Sequence, residues 1–237
     1  MNGVRIGGFQ KLSLIDYPGK LSSIVFTIGC NLRCPFCYVP QLVLPDEAKA
    51  LKLVPEEEVF AYLKKNPDLV DAVVITGGEP TLQKDLVDFA RRIKSMGLLV
   101  ALETNGTNYE VLAELVKRKL VDYVAMDVKT ELDFEKYKHA TGSMLTERMF
   151  ESIKKSIELV IASGIDYELR TTLMKELHDK DTVLRIVEAI KGAKNYYLQN
   201  LKDERRVDPK LKLTQFKWDE VKEIIEQSKG MVNVIAR

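Results

Sequence analysis

Short runs of β-branched and apolar residues alternate with amphipathic stretches along most of the chain. The runs predict six strands, with a seventh indicated near the end. They cover residues 21–28, 70–76, 98–103, 121–127, 165–172 and 195–199, with the last at 231–235. The stretches between them place apolar residues at helical spacing and predict buried helix faces. These helices follow Pro55, span 86–93, follow Asn108, span 149–160, follow Asp179 and start at Trp218. We expect Asn108 to cap its helix and Trp218 to belong to the buried stripe of the last one.

Strand and helix alternation of this kind predicts a mainly parallel α/β sheet, as a doubly wound sheet or as a full or partial barrel. The 237 residues, 46% of them hydrophobic, suit one domain over 1–237, with a last helix and strand in 214–237. The charged segment 202–213 lacks an apolar stripe and contains Pro209, which predicts an exposed loop. We interpret that loop as a solvated connector, with a role in gripping a protein partner as the alternative.

Charge and hydropathy exclude some classes of partner. The net charge of +1 gives no global field that would favour nucleic acid or an anionic membrane. Apolar runs stay short of the ~18 residues of a membrane-spanning helix, and the first residues lack the apolar core of a signal peptide. We therefore expect a cytoplasmic location, with no membrane and no nucleic-acid partner.

Polar and glycine residues follow several of the predicted strands. Both candidate architectures place their chemistry at the carboxyl ends of the strands, so these residues are the candidate site. They are Gly29-Cys30, Gly77-Gly78-Glu79-Pro80, Glu103-Thr104-Asn105-Gly106, Asp127-Val128-Lys129, Arg170 and Gln199-Asn200.

The three cysteines of the chain all lie in one short segment. Cys30, Cys34 and Cys37 have the spacing CxxxCxxC in a predicted loop over 29–38. Three thiolates can hold a 4Fe-4S cluster and leave one iron open to a substrate, whereas an electron carrier uses four. A zinc site completed by His139 or His178 is the rival interpretation, and unrelated thiols are another.

The cysteine loop resembles that of the radical S-adenosylmethionine (SAM) superfamily, whose motif is CxxxCxΦC with an aromatic residue at Φ. Phe36 stands at that position. The resemblance implies a partial (β/α)6 TIM-like barrel, a 4Fe-4S cluster on the three cysteines and SAM on the open iron. It also implies that Phe36 packs near the adenine, and that Gly77, Gly78, Glu79 and Pro80 form the GGEP segment that binds the methionine amino group.

Further contacts are implied by a resemblance to pyruvate formate-lyase activating enzymes. In that family an Asp-Thr-Asn-Gly stretch and an Asp-Leu-Lys stretch help to hold SAM and a monovalent cation. Glu103, Thr104 and Asn105 match the first stretch, with Glu in place of Asp, and Asp127 and Lys129 match the second. Arg170 matches an arginine that could pair with the SAM carboxylate, and Gln199 occupies the place of another SAM contact.

The stretch 5–45 resembles the activating proteins of anaerobic ribonucleoside-triphosphate reductase. Tyr38-Val39 departs from the His-Asn that many of those proteins have, and residues 38–69 contain no cysteine for an additional cluster. The resemblance implies a glycyl radical enzyme as partner, and a flavodoxin or ferredoxin as electron donor. Two alternatives stay open: a small-molecule radical SAM enzyme, similar to 7-carboxy-7-deazaguanine synthase, and a non-enzymatic metal module.

Overall fold

The computed structural model describes residues 3–201 and 205–237, in which strands and helices alternate along the chain. The strands are β1 Ile6–Ser13, β2 Ser22–Thr27, β3 Ala72–Gly77, β4 Leu99–Thr104, β5 Tyr123–Asp127, β6 Asp166–Leu173, β7 Asn195–Asn200 and β8 Asn233–Ala236. The helices are α1 Pro40–Val43, α2 Pro45–Ala50, α3 Glu56–Lys65, α4 Leu86–Lys94, α5 Tyr109–Lys117, α6 Phe134–Thr141, α7 Glu147–Ala162, α8 Lys180–Ala189 and α9 Trp218–Gln227, with a 3-10 helix at Pro80–Leu82. The strands form one sheet whose order follows the chain, with β1 first and β8 last. The predicted α/β fold is confirmed.

Each predicted strand is present, with ends within two residues of those expected, but β1 was missed. This strand pairs antiparallel with β2, as in the pairs Phe9↔Val25 and Gln10↔Ile24. Its middle residues are half-buried or exposed and include two glycines, so no apolar run marks it. The sheet therefore has eight strands, one more than the six predicted strands and the indicated seventh together.

The chain divides into two compact units. The first contains the described residues up to Asn31, with Val39–Thr104 and Asn108–Val124. In it β2, β3 and β4 pair in parallel, with Ile24 beside Val74 and Val74 beside Ala101. Val73 and Val74 have no exposed surface. Because both faces of β3 are buried, its sequence is an unbroken apolar run, which made this strand predictable.

The second unit contains Leu32–Tyr38, Asn105–Thr107 and Ala125–Arg237. Here β6, β7 and β8 pair in parallel, with Leu169 beside Tyr196 and Leu198 beside Ala236. The fully buried Tyr196 donates its hydroxyl hydrogen to Thr171 Oγ1 over 2.6 Å, which satisfies the polar end of a large core side chain.

Two details of the predicted helices were wrong. Trp218 was expected in the buried stripe of α9, but it is 57% exposed, while Val221 and Ile224 are buried. Asn108 precedes α5 without capping it, because its side-chain amide donates to the Thr81 carbonyl instead. Helices α1, α2 and α6 were not predicted, since each has eight residues or fewer and little apolar periodicity. None of the helices in the described part of the chain has both the length and the apolar character of a membrane span.

Candidate active site

The first cysteine follows a backbone turn that is fixed on both sides. Gly29 has φ +99°, a conformation that favours glycine. Its N–H donates to the Leu42 carbonyl over 2.8 Å, and its carbonyl accepts from the Glu79 N–H over 2.7 Å. Leu42 belongs to α1 and packs with Ile28. The unpredicted helix α1 thus helps to hold the start of the cysteine loop.

The paired glycines of the GGEP segment allow two strand ends to touch. A Cβ atom on Gly78 would lie 2.1 Å from the Gly29 carbonyl oxygen, and one on Gly77 would lie 2.5 Å from the Thr27 backbone. The sequence predicted close approach to a ligand. In the structure the close approach is to the chain's own backbone, immediately before Cys30.

We expect Gly78→Ala to destabilise the protein by about 1–3 kcal/mol, because the added methyl group meets backbone that must move. The matched control is Gly8→Ala in β1, whose Cβ would make ordinary contact with Phe26 at 3.4 Å and should change stability little. Urea unfolding of both variants measures the difference. Equal midpoints for the two variants would contradict the steric explanation.

Glu79 is a fully buried carboxylate with fixed partners. Its Oε1 accepts from the Thr81 N–H at 3.1 Å, from Thr81 Oγ1 at 2.6 Å and from Thr104 Oγ1 at 2.7 Å. Pro80 opens the 3-10 helix that carries Thr81. The structure thus brings Glu79 and Thr104, two predicted site residues, into direct contact.

Glu103 and Asn105 are also held by hydroxyl groups. Glu103 Oε2 accepts from Thr76 Oγ1 over 2.8 Å. In the second unit, Asn105 Oδ1 accepts from the N–H and the hydroxyl of Thr107, at 3.0 and 2.6 Å. Both side chains are therefore oriented by local contacts, and their binding of SAM or a cation stays a prediction.

The rest of the cysteine loop is held by backbone bonds within the second unit. The Arg33 N–H donates to the Thr141 carbonyl over 2.9 Å, and the Cys37 N–H donates to the Cys34 carbonyl over 3.0 Å. Gly142, with φ +92°, leaves room for the Arg33 carbonyl, since a Cβ there would lie 2.7 Å from its oxygen. Cys34 is buried and Cys37 half-buried, and no disulfide involves any of the three cysteines. Backbone bonds, rather than a disulfide, therefore hold this part of the loop.

Lys129 links the cysteine loop to the end of β5. Its Nζ donates to Asp127 Oδ2 over 2.7 Å and lies 5.8 Å from the centre of the Phe36 ring. Burial by itself lowers the pKa of Lys129, but the charges of Asp127 and Cys34 outweigh burial and raise that pKa. The ammonium group therefore stays charged beside Cys34, where it favours the thiolate form that a metal requires.

Asp127 also accepts a hydrogen bond from Arg170, whose Nε donates to Asp127 Oδ1 over 2.5 Å. Burial would raise the pKa of Asp127, but Arg170 and Lys129 together lower it well below its usual range. Arg170 Nη1 lies 3.7 Å from Glu168 as well. The predicted residues Asp127, Lys129 and Arg170 thus form one charged cluster, in which the arginine already has carboxylate partners.

Tyr137 and His178 hold the backbone of Lys129. Sequence reasoning did not identify either residue in this role. The Lys129 N–H donates to the Tyr137 hydroxyl oxygen over 3.0 Å, and its carbonyl lies 2.9 Å from His178 Nε2. The Met174 N–H donates to His178 Nδ1 over 3.2 Å, so Nε2 carries the hydrogen. Burial lowers the pKa of His178 and keeps the ring neutral. No motif in the sequence signals this arrangement.

The same contacts weaken the zinc interpretation. Both ring nitrogens of His178 bond backbone groups, and His139 is exposed on α6. Within residues 3–201 and 205–237, no three or more His, Cys, Asp or Glu side chains are grouped so that they could hold a metal ion. The assignment of Cys30, Cys34 and Cys37 as cluster ligands therefore depends on their spacing and on family membership.

Gln199 lies at the end of β7, as predicted, and is half-buried. With its amide oriented so that the oxygen faces the donors, it accepts from Arg237 Nε and Nη2 at 3.2 and 3.0 Å. Arg237 also pairs with Glu168. A contact between Gln199 and SAM stays a prediction.

The profile of the radical SAM superfamily matches residues 24–190, which is more than half of the chain. The chain belongs to the radical SAM superfamily. It is therefore an enzyme of the class that uses a 4Fe-4S cluster and SAM.

Similar proteins extend this finding. A protein of Methanocaldococcus jannaschii, named a putative glycyl-radical enzyme activating enzyme, is 37% identical over 98% of this radical SAM chain and 95% of its own. The pyruvate formate-lyase-activating enzyme of Clostridium pasteurianum is 30% identical over 81% of this chain and 78% of its own. The structure of Streptococcus suis SuiB bound to S-adenosylmethionine aligns with a TM-score of 0.67 at 17% identity. That alignment covers 90% of this chain and about half (51%) of SuiB, and it supports the fold alone.

Proposed function

We propose that this protein is a glycyl radical enzyme activase, which uses SAM to place a radical on a glycine of a partner protein. The observation that carries the proposal is the likeness to the Methanocaldococcus jannaschii protein, which extends over almost the whole of both chains. A likeness confined to the cluster loop would support only the shared SAM chemistry. Full-length likeness also includes the surfaces that a protein substrate would contact.

The sulfur donors of the cysteine loop suit an iron–sulfur cluster in kind and number. Cys30, Cys34 and Cys37 offer three soft sulfur donors, the number that leaves one iron of a 4Fe-4S cluster open. The charged Lys129 beside Cys34 stabilises negative charge at that thiolate. When bound, these cofactors supply one-electron cleavage of the sulfur–carbon bond of SAM, and the carbon radical so formed can take the Cα hydrogen of a partner's glycine.

The chain's own residues position these groups. Glu79 and the Gly77-Gly78 backbone would receive the ammonium group of SAM, and Thr104 holds the Glu79 carboxylate in place. Phe36 would pack near the adenine. Asp127 holds Lys129 and Arg170 at fixed positions, so that Arg170 could pair with the SAM carboxylate.

The partner we propose is an anaerobic ribonucleoside-triphosphate reductase, with a flavodoxin or ferredoxin as the source of the electron. The resemblance of residues 5–45 to the activating proteins of that reductase supports the first choice. Residues 38–69 have no cysteine, so that segment cannot hold the additional cluster found in several other activases.

A direct experiment mixes the anaerobically reconstituted, reduced protein with SAM and the reductase of the same organism. Electron paramagnetic resonance should show the doublet of a glycyl radical, and the doublet should require SAM. A SAM-responsive cluster that leaves no radical on the reductase but converts a pterin would favour the small-molecule alternative. A metal centre whose electron paramagnetic resonance spectrum does not change when SAM is added would overturn the proposal altogether.

A further inference from the structure

The charged segment after β7 contacts the cysteine loop directly. The Val207 N–H donates to the Cys37 carbonyl and the Asp208 N–H to the Pro35 carbonyl, each over 2.9 Å. The described part of the predicted loop, 205–213, is exposed or half-buried and has no helix or strand, but it is bonded to the cysteine loop and is more than a solvated connector. Residues 202–204 of that loop lie outside the described residues.

The segment is also held in shape by its own contacts. Asp208 Oδ1 accepts from the Lys210 N–H at 2.9 Å, and Arg206 Nη1 donates to the Leu211 carbonyl at 3.2 Å. Beyond it, the Lys175 N–H donates to the Thr214 carbonyl at 3.0 Å. A loop tied at its middle and at its end presents its exposed side chains at defined positions beside the cysteine loop.

Those exposed side chains are positive. Residues 205–212 contain four basic residues and one acidic residue, a net charge of +3 in a chain whose total is +1. Arg205, Lys210 and Lys212 are exposed, whereas Asp208 is half-buried and bonded to backbone. We define the basic face as Arg205, Arg206, Lys210 and Lys212.

The position of this face suggests its partner. All three cysteines of these 237 residues lie in the one loop, so this sequence contains no second set of thiolates that could relay an electron. The electron for the proposed cluster must then arrive from another molecule near that loop. The basic face lies on the segment that bonds the carbonyls of Cys37 and Pro35, and a positive face attracts an acidic protein.

We propose that the basic face docks an acidic one-electron carrier protein, with a flavin or iron–sulfur centre, that reduces the cluster. The carrier loses one electron and the cluster gains it, with no other reactant. This inference rests on the proposed function, because it concerns how the same cluster is reduced.

The test is the double charge reversal Lys210→Glu/Lys212→Glu, which leaves the backbone donors at 207 and 208 unchanged. The matched control is Lys191→Glu/Lys194→Glu, which changes the net charge equally at exposed positions just before β7, at the opposite end of that strand. Three readouts are needed: the affinities of the oxidised carrier and of the reductase for the reconstituted protein by calorimetry, and the stopped-flow rate of cluster reduction by the reduced carrier. Flavodoxin and ferredoxin are assayed in separate arms.

We expect about a tenfold loss of affinity and of reduction rate in the Lys210→Glu/Lys212→Glu variant, and a smaller loss at higher salt. Reduction by dithionite, a small reagent that needs no docking face, should stay unchanged. The control variant should behave like the unmodified protein.

Equal losses in the two variants would overturn the inference, as would no loss in either. Weaker binding of the reductase with unchanged reduction by the carrier would assign the face to the radical acceptor and overturn it too. Failure of the proposed function looks different, because the unmodified protein would then leave no glycyl radical on the reductase even where the carrier reduces its cluster.

Discussion

Cys34→Ala should reduce SAM cleavage and glycyl radical formation to background while the protein stays folded. With one of three sulfur donors removed, the loop has too few ligands to hold a cubane with a single open iron. The backbone bonds of the loop involve no thiol: Arg33 to Thr141, Cys37 to Cys34, and Val207 to Cys37 all persist with alanine at position 34. Loss of activity would therefore report lost metal ligation rather than unfolding.

Iron content, electron paramagnetic resonance with and without SAM, and thermal unfolding of the metal-free protein measure the three parts of this prediction. The control is Tyr38→Phe, which removes only a hydroxyl group just after the third cysteine and should keep the cluster. If Cys34→Ala retained a cluster that responds to SAM, the assignment of Cys34 as a ligand would be wrong.

The sequence predicted the parallel strands well because burial on both faces leaves an unbroken apolar run, as in β3. It missed β1 because a strand with exposed middle residues has no such run. Short helices such as α1 were not predicted for a related reason: four residues are too few to show a period of 3.6 residues. Tertiary contacts, rather than local preference, hold those elements.

In the candidate site, too, features with a local sequence pattern were predicted and those that depend on distant contacts were not. Spacing indicated the cysteine loop, since its three ligands must lie close together, and the resemblance to the radical SAM superfamily then implied the role of the GGEP segment. The support of Lys129 by Tyr137 and His178 was not foreseen, because partners 8 and 49 residues away leave no local pattern. The contact of 207–208 with the cysteine loop was missed likewise, since backbone N–H groups bond there whatever their side chains.

Asp127→Ala should destabilise the protein by about 3 kcal/mol, because it leaves two largely buried cations without their shared carboxylate. The side chains of Lys129 and Arg170 are only 18% and 13% exposed. The control is Asp88→Ala on α4, which removes an exposed ion pair with Arg91 and should cost less than about 1 kcal/mol. Urea unfolding at neutral pH measures both variants.

The contribution of Asp127 to the free energy of unfolding depends on pH with a definite sign. Burial opposes ionisation of Asp127, but Arg170 and Lys129 lower its folded-state pKa well below the ordinary 3.8. A carboxylate with a lowered pKa stabilises the folded protein fully above its ordinary pKa, and that contribution is lost as the pH falls towards the folded-state pKa. The stability difference between the unmodified protein and Asp127→Ala should therefore stay constant from pH 8 down to about pH 5 and shrink only in stronger acid. A difference that declined already between pH 8 and pH 6 would show that another group governs the cluster of Asp127, Lys129 and Arg170.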